Sequence, residues 1–108
     1  MTTEDVKRQK ADVLLAYQEA EEKLELLRHK ARNAVGLIGQ FCQWLENSPE
    51  THIFRADQAH HGNNVYVTEH KYVLALEPQQ YFQLADEIRQ TRSELQRLRQ
   101  LKERLGLR

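Results

Sequence analysis

The chain has 108 residues and a mass of 12.8 kDa, enough for one ordinary domain and too little for two. Sixteen Lys and Arg balance sixteen Asp and Glu, so net charge gives no ground for attraction to nucleic acid or an anionic membrane. Charged residues make up 30% and hydrophobic residues 40%, with only four Gly and two Pro; that excludes a disordered tail or a turn-rich barrel and favours helix.

From Thr2 to Leu45 there is no proline, and apolar residues return in steps of three and four. In heptad letters, position a takes Thr3, Lys10, Tyr17, Leu24, Ala31, Ile38 and Leu45, and position d takes Val6, Val13, Ala20, Leu27, Ala34 and Phe41. Thr2 or Thr3 can cap the free amides, Glu4 and Asp5 suit the positive end of the dipole, and Asn47-Ser48-Pro49 ends the run. The prediction is one helix over about 3–47, with Gly36 and Gly39 as points of bending or close packing.

Residues 48–77 change character and hold four of the five histidines. Val65–Thr68 and Tyr72–Leu76 read as strands joined through Glu69-His70-Lys71, Ile53–Ala56 as a weaker third strand, and His61-Gly62-Asn63-Asn64 as a turn. A second helix is expected from Pro78, tolerated in a first turn, to a left-handed cap at Gly106. Its seam is Tyr81, Leu84, Ile88, Thr91, Leu95, Leu98, Lys102 and Leu105.

The two helices pair antiparallel if facing seam residues sum to 115: Leu27 with Ile88, Leu24 with Thr91, Ala20 with Leu95, Tyr17 with Leu98. That register brings Lys30 to Glu87, Lys23 to Glu94 and Glu21 to Arg92, and sets Val13 against Lys102, where a lysine stem must snorkel. Ile38, Phe41, Trp44 and Leu45 are left to pack on the hairpin. The expected fold is mainly α with a small β element: a single domain over 1–108, with stalk helices at about 3–47 and 78–106 forming an antiparallel coiled-coil hairpin, and a β-hairpin head at about 51–77. The order helix, β-hairpin, helix resembles β-type prefoldin subunits, in which a coiled-coil arm stands on a β platform; the resemblance is one of topology and carries over no residue.

Chemistry-bearing motifs are few. His52, His60, His61 and His70 are the metal-ligand candidates, but they match no ligand spacing, so polar loop residues are the reading and no cofactor or metal is expected. Cys42, the only cysteine, cannot form an internal disulfide and is expected as a small buried hydrophobe. Ser48 and Ser93 suit no triad, and Gly36-Leu37-Ile38-Gly39 lacks the residues of a phosphate loop, so no enzyme is expected.

The informative oddity is apolar. Leu15, Leu26 and Leu37 lie off the seam at intervals of eleven residues, nearly one line on a helix, and Phe82 and Leu101 add to them as interaction residues. A second stripe needs a second partner. The expected role is a non-enzymatic oligomeric coiled-coil interaction or scaffold module, a homo-oligomer with the dimer favoured, together with a protein partner whose identity the residues do not carry. The alternatives are a nucleic-acid-binding regulator using the arginine-rich second helix, where residues 78–108 hold seven Lys or Arg against four Asp or Glu, and a metal-binding protein built on the histidine-rich loop. No apolar run approaches the roughly 18 residues of a membrane span and no leader pattern opens the chain, so a soluble, cytoplasmic protein is expected.

Overall fold

The computed structural model describes residues 2–57 and 64–107. Helix α1 spans Thr3–Asn47, β1 Ile53–Asp57, β2 Asn64–Glu69, β3 Tyr72–Leu76 and α2 Pro78–Arg104, with a single 3-10 turn at Pro49–Thr51. The chain is mainly helical, and the weak third strand of the sequence is a full member of the sheet.

Local chemistry sets the helix ends. Thr2 Oγ1 accepts from the Asp5 amide at 3.2 Å while the Thr2 amide donates to Asp5 Oδ2 at 3.3 Å, a reciprocal box that satisfies first-turn donors. At the far end of α2, the Leu107 amide donates to Lys102 O at 2.8 Å and the Gly106 amide to Glu103 O at 3.1 Å. Gly106, at φ 72°, makes that Schellman closure without steric cost. Helix α1 runs unbroken through Gly36 and Gly39. A Cβ at either glycine would meet nothing within 4 Å, so neither serves close packing, contrary to the expectation from sequence. Gly36→Ala and Gly39→Ala are each expected to stabilise the chain by about 1 kcal/mol, because alanine loses less backbone freedom on entering a helix. Urea titration followed at the helical ellipticity minimum checks both.

Contacts divide the chain into two compact units, Met1–Arg28 with Asp86–Arg108, and His29–Ala85. The first is an antiparallel pair of helical segments. Its core is Val13, Leu24, Leu27, Thr91, Leu95 and Leu98, all on the seam positions of the heptad reading. Ala20 and Lys23 line one depression with Gln90, Thr91 and Glu94, while Val13 and Ala16 line another with Leu98 and Leu101, so ascending positions on α1 meet descending positions on α2. The polar seam residue Thr91 is satisfied by its own helix, donating Oγ1 to Glu87 O at 2.8 Å. The Lys102 stem carries its ammonium out of the seam: Nζ lies 4.2 Å from the centroid of the Tyr17 ring. The cross-helix ion pair expected between Lys23 and Glu94 is absent among the described pairs, because Glu94 is held within its own helix by Arg97. A neighbour three residues away on the same helix needs less ordering of long side chains than a partner on another element.

The second unit is built on a three-stranded antiparallel sheet of order β1-β2-β3. Phe54 pairs with Val67 and Val67 with Leu74, and one row along they continue as Ala56, Val65 and Leu76. This is the packed face, with Val67 fully buried and Leu76 7% exposed. Residues of α1 in this unit close over it: Phe41 meets Phe54 edge-on at 5.8 Å between centroids, and Trp44 stacks on His52 at 4.5 Å. Ile38 and Leu45, expected beside them from the heptad letters, are exposed. The seam letters assume a period of 3.5 residues, and an unsupercoiled helix drifts from that lettering by ~20° per heptad, so the face meeting the sheet is Phe41 and Trp44 instead.

Candidate interaction surface

The histidine candidates separate. His52 is a core residue of the second unit: its Nδ1 lies 2.8 Å from Ser48 O, an atom that only accepts, so Nδ1 carries the proton and donates. The Thr51 hydroxyl donates to the same carbonyl at 3.2 Å. Together they tie the 3-10 turn after α1 to the start of β1. His52 Nε2 faces Glu69 Oε2 at 3.3 Å without a well-aligned hydrogen bond. His70 occupies the β2–β3 turn at φ 53° and is exposed. His60 and His61 lie outside the described residues, as does most of the turn read at residues 61–64. Among the described residues no group of three or more His, Cys, Asp or Glu is placed to hold a metal ion. Cys42 is exposed rather than the buried hydrophobe expected; it lies one residue past the face that Phe41 and Trp44 turn to the sheet.

The arginines of α2 are partly engaged. Arg89 pairs with Asp86, and Arg97 Nε donates to Glu94 Oε2 at 3.0 Å. The hydrogen bond from Arg97, and after it the guanidinium charge, holds the exposed Glu94 carboxyl below the ordinary carboxylate value. A depressed carboxyl contributes stability that is in place above the unfolded carboxylate range and is lost as pH falls through the folded value. Arg97→Ala is accordingly expected to return the Glu94 titration midpoint upward to that of a free glutamate, read from its side-chain carbon shifts; an unmoved midpoint would contradict the pairing. Tyr17 raises the Arg99 guanidinium above its usual value, first through its hydroxyl hydrogen bond.

The apolar candidates fall in both units. In the first, Leu15 and Leu26 are 56% and 57% exposed, on α1 away from the buried seam of Val13, Leu24 and Leu27. Leu101 is half-buried instead, lining the depression with Val13, Ala16 and Leu98. In the second, Leu37 and Phe82 are exposed. The sheet adds residues that the heptad reading passed over: Ile53 and Val73 flank Thr68 across its open face, and Tyr72 is 78% exposed. The signal for the first two was present, since alternate residues of β1 and β3 must face away from the packed side. On the same open face Arg55 lies 5.4 Å from the Tyr66 ring centroid.

No family model, curated protein or solved structure matches this chain. No described helix is long and apolar enough to cross a membrane.

Proposed function

We propose that this chain is a non-enzymatic, self-associating coiled-coil interaction module whose first unit pairs with a second copy through Leu15 and Leu26. The observation that carries this reading is the exposure of these two leucines on the far side of a helix whose seam is already filled by α2. A two-helix layer has nothing behind it, and a symmetric dimer covers the same patch on both copies at once. About half of each side chain remains to be covered, so the gain is ~1 kcal/mol per leucine, or ~4 kcal/mol for four leucines across a two-fold axis. Bringing two copies together costs translational and rotational freedom of at least that size, so the pairing belongs to the millimolar range and draws on the rest of the surface that closes around the leucines.

The scaffold role is supported by the same features: helices for surface and two separately packed units available to different partners. Leu15→Glu with Leu26→Glu is expected to lower the sedimenting mass at roughly 0.1–1 mM chain, because carboxylates brought together on a closing patch are desolvated and repel. An unchanged mass in the double variant would contradict the reading.

A further inference from the structure

Strand β3 is an edge. It pairs with β2 on one side and with no described strand on the other. Natural sheets blunt such edges with charge, proline or a bulge. The opposite edge, β1, carries Arg55 and Asp57, whereas β3 reads Tyr-Val-Leu-Ala-Leu, uncharged and without proline. The loop His70-Lys71 has two residues and closes on the Glu69–Tyr72 pair, which therefore exchanges both of its backbone bonds. Alternation then turns the N–H and C=O groups of Tyr72, Leu74 and Leu76 toward β2, and those of Val73 and Ala75 outward.

We propose that β3 is a homotypic docking edge that takes the β3 of a second copy, antiparallel, about a two-fold axis through Leu74. In that register Val73 of each copy faces Ala75 of the other, and the outward backbone groups of both strands form four hydrogen bonds. Leu74 faces its own equivalent and Tyr72 faces Leu76. Immediately outside the strand, Lys71 of each copy faces Glu77 of the other, an opposite charge at both ends, and neither residue belongs to a described ion pair. Sliding by two residues either way sets Lys71 against Ala75 or Gln79 and leaves outward groups of Val73 or Ala75 unmatched. Backbone pairing, apolar pairing and charge thus select one register, and the complement they describe is this same segment.

The contact is independent of Leu15 and Leu26, so it is tested in the Leu15→Glu, Leu26→Glu chain by sedimentation at about 1 mM. Expected is a species of twice the chain mass. Lys71→Glu sets like charges together at both ends and is expected to weaken it about tenfold or more. Adding Glu77→Lys restores it. Within one chain these residues stand at opposite ends of the strand, about 20 Å apart at 3.3 Å per residue, so rescue reads a contact between copies. Ala75→Pro removes an outward donor without touching the β2 ladder and is expected to weaken the dimer while circular dichroism is unchanged. A single-chain mass before any change at β3 overturns the proposal while leaving the leucine contact standing. A dimer indifferent to Lys71→Glu and Ala75→Pro, as when another surface holds the copies, overturns it as well.

Discussion

Leu98→Ala is expected to destabilise the helix pair by about 3 kcal/mol, within the 2–5 kcal/mol range for a leucine removed from a packed interior. Leu98 is 2% exposed, and it lines the seam with Val13, Ala16 and Leu101, so truncation leaves a cavity at the helix interface. Leu27→Ala, at 3% exposure, should cost a similar amount. The two sites stand more than two helical turns apart along the pair, so their costs should add to within about 0.5 kcal/mol. Equilibrium urea denaturation measures both. Amide exchange should place the loss of protection in residues 13–28 and 86–102. A loss below 1 kcal/mol at Leu98 would mean that the helices do not pack at this seam.

The second large effect is expected at Trp44, where replacement by Ala should cost about 3 kcal/mol, the lower end for a large aromatic because the residue is only half-buried. Its indole stacks on His52, which in turn donates to Ser48 O and stands 6.3 Å from Phe54. Removing the indole exposes a buried imidazole and loosens the turn that leads into β1. Trp44→Phe keeps a stacking face and should recover more than half of the loss. Exchange should rise first in β1 and in the β2 residues paired with it, from Ile53 to Asp57 and Asn64 to Thr68. An unchanged β1 would show that the sheet holds itself without this helix face.

The helix pair was legible in the sequence because its seam obeys one period over many turns, and Val13, Leu24, Leu27, Thr91, Leu95 and Leu98 could be named from spacing alone. Charge was a poorer guide to contact. Lys23 and Glu94 stand in the depression that the register requires, yet Glu94 bonds Arg97, since exposed ion pairs are worth too little to dictate a partner. The head was legible as strands and turn but not as a core. No periodicity marks a Trp44–His52 stack, because the two residues come from different elements and meet only after the 3-10 turn reverses the chain. His52 read as one polar loop residue among four, and its burial follows from register: it continues the row of Phe54 and stands across from Glu69. The eleven-residue leucine interval did identify side chains left in water, as Leu15, Leu26 and Leu37 are.

Self-association through Leu15 and Leu26 is tested most directly in a sample at about 1 mM chain, half carbon-13 labelled and half unlabelled, in which only contacts between copies give filtered methyl cross-peaks. Expected are such cross-peaks from the Leu15 and Leu26 methyl groups to helix α1 of the unlabelled copy, together with a sedimenting mass above that of one chain. A sample that sediments as a single chain at that concentration, with no cross-peak from either leucine, would contradict it.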